Sequence, residues 1–266
     1  MAEVKDIYNY LDVLAPFSTQ ESFDNAGLLV GRKSAEVNTV LVALDITQEV
    51  IREAVEIGAQ LIVAHHPIIF DPVRSVTGET ITGELVLQLA EAGIAAICAH
   101  TNLDAAQGGV NDLLARTLGL EQIGQLCQSG VDEQGRAYGI GRTGTRKGCD
   151  NVSAEEFAAA VKTALGAACV RYVDGGKPVA RVAVGGGACG SMLHDAVRAG
   201  CDTFVTADVK YNVFLEAKEL GINLLDAGHF PTEDVVCQPL ADLLSARFPE
   251  LTVRKSTVHR EVFSCV

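Results

Sequence analysis

The chain has 266 residues, of which 48% are hydrophobic and 21% charged, and its formal net charge is −13. That apolar share supplies a buried core and excludes a disordered or low-complexity protein. The acidic balance, with no basic face in the sequence, excludes unselective nucleic-acid binding and disfavours an anionic membrane.

In chain order, Val4–Leu14 has a helical period. A turn follows at Pro16, then an irregular stretch from Ser22 to Val30. Thr39–Leu44 is a β-rich apolar run, Thr47–Ile57 a helix ending at Gly58, and Gln60–Ala64 a short buried strand. Gly83–Ala92 reads as a helix closed by Gly93, and Ile94–Ala99 as a third strand. The middle, from Leu120 to about Pro178, is richer in glycine and turns. It holds an antiparallel strand near Tyr138–Thr143, and Ser153 with Glu156 makes a capping box for a helix over Ala154–Leu165. Val170–Val173 follows as a strand. The opening rhythm then returns: strand Arg181–Val184, helix Ser191–Ala199, strand Thr203–Ala207, helix Asn212–Leu220, strand Ile222–Asp226.

Strands alternating with helices at this spacing indicate βαβ units. The fold class is therefore α/β: two related, pseudo-repeated α/β domains with mostly parallel sheets. The first domain is expected over 1–123 plus about 235–266, and the second over about 124–234. No apolar run approaches the length that spans a bilayer. The opening residues lack a basic leader and a continuous apolar segment, so a cytoplasmic protein is expected. The 8 cysteines include no CxxC pair, and most, such as Cys98 and Cys169, sit among small apolar residues. They read as buried, reduced thiols. The small basic cluster Arg142, Arg146 and Lys147 reads as a solvated turn.

Ligands of open parallel sheets gather outside the carboxyl ends of the strands. Four polar groups stand there: His65-His66, His100 to Asp104, Thr206 to Lys210, and His229 to Glu233. Imidazole with carboxylate is a ligand set for zinc, iron or manganese. Adjacent strand residues point to opposite sides, so His65 and His66 are expected to serve different ions. Glu233 can bridge two ions about 3.5–4 Å apart. Asp104 can complete one site and His229 the other. Asp45, Asp208 and Lys210 are expected to line the same cavity, and His100 to orient a ligand or a water. Lys210 either holds a substrate phosphate as a point charge or pairs with Asp208 in a solvated salt bridge.

At these residues the sequence resembles the dinuclear-metal, toroid-forming family labelled GTP cyclohydrolase 1 type 2 homologues. The resemblance spans nearly the whole chain. It rests on Phe23–Gly31, Ala43–Thr47, Ala64-His-His-Pro67, His100–Ala106 with Gly108–Asp112, Ala207–Tyr211 and Asp226–Glu233. It implies metal ligands at His65, His66, Asp104, His229 and Glu233, two divalent ions per chain, two interlinked, pseudo-repeated α/β domains with the dimetal site between them, and a homohexameric ring. It also marks the chain as the short form, without an inserted middle domain. The chain departs from the family at Asn212, where histidine is frequent, at Ala207, where glycine is, and at Gln107, where proline is.

Val184-Gly-Gly-Gly-Ala-Cys-Gly190 fits a dinucleotide fingerprint after a strand. The competing uses are a tight turn and a phosphate cradle. There is no G-x-S-x-G elbow for a serine hydrolase, and Cys98 reads as core rather than nucleophile. The function expected is metal-dependent hydrolysis of a small phosphorylated or nucleotide substrate, because two ions make hydroxide available at neutral pH. The alternative is a non-catalytic metal-binding regulatory or scaffold hexamer.

Overall fold

The computed structural model describes residues 2–146 and 151–266; Lys147 lies outside them. The chain forms two compact units. One runs to Leu103 and takes in Cys237–Arg260; the other comprises Asp104–Val236 and Glu261–Val266. The chain therefore passes between the units three times, which interlinks them in sequence. The sequence reading carried the first domain to residue 123. The helix Val110–Thr117 instead packs on the strands Leu120–Gln125 and Arg142–Arg146 of the second unit, where Leu114, Ala115 and Leu118 join that unit's core.

In the first unit a five-stranded sheet is built on Thr39–Ala43, Leu61–Ala64 and Ala95–Cys98, all parallel. Thr252–Lys255 adds a parallel edge beside Thr39–Ala43. Gly27–Val30 pairs antiparallel with Ala95–Cys98 at the other edge, so part of the stretch read as irregular is a strand. Alternate residues explain the layering. Leu41, Ala43, Ile62, Ala64, Ala96 and Cys98 share one core with Val50, Ile51 and Ala54 from the helix Gln48–Glu56 and Leu85 and Leu89 from Ile81–Ala92. Val40, Val42, Leu61, Val63 and Ile97 point the other way and are equally buried. The helix Gln48–Glu56 starts where it does because the Thr47 side chain accepts the amide of Val50.

The second unit repeats the strand–helix order around a parallel centre, Arg181–Val184, Thr203–Thr206 and Asn223–Asp226. Antiparallel strands flank it: Arg171–Val173 on one side, Arg142–Arg146 and then Leu120–Gln125 on the other. Val182, Val184, Val205 and Leu225 face Phe157, Ala158 and Val161 of the helix Ala154–Leu165. Their neighbours Ala183, Phe204 and Leu224 face Leu193, Ala196 and Ala217 on the opposite side. The expected capping box is present, with Ser153 and Glu156 satisfying each other's backbone amides.

Arg142 corrects the sequence reading. It is buried, and its guanidinium is saturated by Asp112 and the carbonyls of Ala105, Ala106, Gly139 and Gly141. A solvated turn cannot supply five acceptors; a fold that closes around the side chain can. Among the described residues no helix is long and apolar enough to cross a membrane.

Candidate functional site

The first unit brings three histidines together. Each of His65, His66 and His100 offers a ring nitrogen within 4.8 Å of the others, and the ring centroids of His65 and His66 are 5.0 Å apart. The expectation that the pair points to opposite sides fails for a simple reason. The strand ends at Ala64, and the amides of both His65 and His66 turn back to the Leu44 carbonyl, so period-2 alternation no longer applies. His100, expected to orient a ligand, is itself a member of the cluster.

Each of these rings is held at Nδ1. His65 Nδ1 donates to the Ala99 carbonyl at 2.8 Å, His66 Nδ1 lies 2.7 Å from Asp45 Oδ1, and His100 Nδ1 lies 2.8 Å from Asp24 Oδ1. Carbonyls and carboxylates only accept, so Nδ1 carries the proton and Nε2 keeps a lone pair for a metal. Burial works against ionised Asp45, yet hydrogen bonds from His259 and His66 outweigh it and hold its carboxyl well below the usual range. The same holds for Asp24, where His100 and Thr101 outweigh burial.

The second unit repeats the device. His229 begins the short helix His229–Glu233. Its Nδ1 lies 2.7 Å from Asp208 Oδ2, and its Nε2 lies 3.0 Å from Glu233 Oε2, one helical turn on. Asp104 and Glu233 are both buried, and an oxygen of one lies within 4.8 Å of an oxygen of the other. Two carboxylates so close and so dry repel each other, and a divalent cation offsets that cost. Asn111 ties this corner together. Its amide donates to the Asp104 carbonyl, and its oxygen accepts the amide of Gly186. Burial first, and then the negative charges of Asp104 and Glu233, push the neighbouring Cys189 thiol far up.

The glycine loop after Val184 serves this corner rather than a phosphate. A Cβ on Gly187 would lie 2.1 Å from Glu233 Oε1 and 3.2 Å from His229 Nε2, and the residue has φ +64°. Four of the loop amides are already used: Gly185 donates to Val205, Gly186 to Asn111, Gly187 to Thr232 and Cys189 to Thr206. The fingerprint is therefore a close-approach turn. The donor set fits a divalent metal: anchored imidazoles, buried carboxylates and a side-chain-free cradle.

Residues 2–261 match the family described as Duf34/NIF3 (NGG1p interacting factor 3). The chain belongs to this family. It is 37% identical over 262 residues to a Streptomyces coelicolor protein named GTP cyclohydrolase 1 type 2 homolog, covering 96% of this chain and 88% of that one. A Clostridium perfringens protein of the same name is 35% identical over 232 residues, 87% of either chain. Among solved structures, the Staphylococcus aureus hypothetical protein SA1388 superposes with a TM-score of 0.91 at 32% identity over 99% of both chains.

Within this family member, several residues near the histidines carry no local sequence signal. Asp24 lies in the Phe23–Gly31 motif, yet nothing in that motif indicates that it meets His100, 76 positions away. His259 Nε2 sits 2.9 Å from Asp45 Oδ2, 214 positions away. Cys98 is core, as expected: it is fully buried, and burial pushes its thiol up to about 12. Lys210 is exposed at the start of the helix Tyr211–Leu220, and no ion pair joins it to Asp208 among the described residues.

Proposed function

We propose that this chain is a dinuclear metal protein, with His65, His66, Asp104, His229 and Glu233 as ligands, that hydrolyses a phosphorylated or nucleotide substrate. The observation that carries the reading is the repeated anchoring of imidazole Nδ1. Four histidines, in two α/β units, present Nε2 while a carbonyl or carboxylate fixes the tautomer. Such anchoring is how proteins orient and strengthen metal-ligating histidines. When bound, two divalent ions acidify water and neutralise charge on a phosphoryl group. The protein's own groups orient the ligands, exclude water around Asp104 and Glu233, and offer Lys210 as an exposed point charge for a phosphate. We further propose a cytoplasmic homohexamer, which the family resemblance supports.

Elemental analysis of protein reconstituted with zinc, manganese or iron tests the first half of the reading; close to two equivalents per chain is expected, and under a tenth would end it. A metabolite hydrolysis panel on the reconstituted protein tests the second. Turnover that disappears in His65→Ala supports a hydrolase. Full metal loading without turnover across the panel supports a regulatory scaffold instead. Light scattering that reports a monomer at micromolar concentration would overturn the hexamer.

A further inference from the structure

The second unit contains a cavity of about 260 Å³ that the metal groups only touch. Its wall includes Cys169 and Arg171 at the start of the strand Arg171–Val173, and Asp208, the acceptor for His229. The rest of the wall comes from the segment Glu261–Val266. Glu261, Phe263 and Cys265 line the cavity, every second residue. That period belongs to an extended chain laid along a surface with one face inward. It brings two thiols to one place: Cys169 and Cys265 line the same cavity, and the Cys265 side chain raises the Cys169 thiol above its ordinary value.

This pair lines one cavity together. Among the described cysteines, Cys98, Cys201 and Cys237 are buried, Cys127, Cys169 and Cys189 half-buried, and Cys265 exposed. Thiol exchange needs access and a thiolate. The neighbouring Cys265 side chain and partial burial work against a Cys169 thiolate, while the charges of Lys162 and Arg171 favour it. The sequence reading placed Cys169 among inert buried thiols, and its position on the cavity wall corrects that.

We propose that Cys169 and Cys265 form a reversible dithiol–disulfide site that exchanges with a low-molecular-weight disulfide. The more accessible Cys265 loses its proton and attacks one sulfur of the small disulfide, which leaves as one thiolate. Cys169 then loses its proton and attacks the Cys265 sulfur of the mixed disulfide, releasing the second thiolate. The protein is oxidised by two electrons, and the small disulfide is reduced to two thiols. The product ties residues 261–266 to the start of an edge strand, across a cavity that reaches Asp208. This proposal is independent of hydrolysis and of metal loading.

The test is exchange of the folded chain in glutathione buffers of rising disulfide content, followed by quenching with N-ethylmaleimide and tryptic mapping. The expected result is one linked species joining peptides 163–171 and 261–266, two hydrogens lighter than their sum and reversed by dithiothreitol. In Cys265→Ser that species must vanish, leaving Cys169 as a free thiol or a glutathione adduct. Recovery of Cys169 and Cys265 in the folded wild type only as free thiols or separate adducts overturns the proposal. So does a link that forms only in urea, or one that joins either residue preferentially to a third cysteine. A carboxypeptidase digest adds a second readout: release of residues from 261–266 should slow at least severalfold on oxidation, and an unchanged rate overturns the tie.

Discussion

Asp208 holds His229 from a left-handed backbone: its Oδ2 lies 2.7 Å from Nδ1 at a φ of +51°. Few residue types adopt that region without strain, and Asp and Asn are among them. Asp208→Asn should therefore keep the fold while losing the charged acceptor. Metal affinity is expected to fall by about 10- to 100-fold, with the melting temperature of the metal-free protein unchanged. Isothermal titration with zinc or manganese measures this, and wild-type affinity in the variant would remove Asp208 from the role assigned here.

Gly187 offers a sharper contrast. Gly187→Ala places a Cβ 2.1 Å from Glu233 Oε1, whereas at Gly176, with φ +81°, an added Cβ meets nothing within 4 Å. Both variants carry the left-handed strain of about 1–2 kcal/mol. Only Gly187→Ala should also lower metal content, because Glu233 must move. Parallel urea titrations and elemental analyses of the two variants separate strain from displacement; equal metal loss in both would contradict the cradle.

Removing the buried Arg142 guanidinium strands Asp112 and four carbonyls together. Arg142→Met is expected to cost about 3–5 kcal/mol, the range for breaking one side of a buried pair. Arg142→Lys should recover little of it, since a single ammonium cannot reach acceptors arranged around a planar fork. Urea midpoints of the metal-free variants decide, and a loss under about 1 kcal/mol in Arg142→Met would show that the cluster relaxes.

Glu53 gives a pH dependence away from the metal groups. Burial works against its charge, but Ser256 Oγ at 2.5 Å and the Thr257 amide at 2.9 Å hold its carboxyl below the ordinary 4.5. A depressed folded-state value adds stability that is present above 4.5 and lost as pH falls through the lower folded value. Wild type should therefore lose more stability than Glu53→Gln as pH drops below 4.5. For this partly exposed group the difference at pH 7 is of order 1 kcal/mol. Parallel slopes of melting temperature against pH would refute it.

What the sequence disclosed was local. Ser153 and Glu156 are three residues apart, so their capping box was legible, as were the strands that end at Ala64 and Asp226. Partners set by closure of the fold were not. Nothing near Asp24 names His100, and nothing near Arg142 names the Ala105 and Ala106 carbonyls. Alternation failed at His65-His66 because the strand stops one residue earlier. The glycine fingerprint left a dinucleotide site, a phosphate cradle and a tight turn open, because what the loop approaches lies about forty-five residues downstream, at Thr232 and Glu233.

The threefold passage of the chain between its units has a consequence for synthesis. All six strands of the second sheet lie between Leu120 and Asp226. The first unit still lacks the helix Cys237–Arg247 and the strand Thr252–Lys255 when those six have been made. Domains fold as units during translation. The later-encoded sheet is thus the one whose strands are all in hand first, and the segment that begins at the amino terminus waits, with one edge open beside Thr39–Ala43, until residue 255 leaves the ribosome.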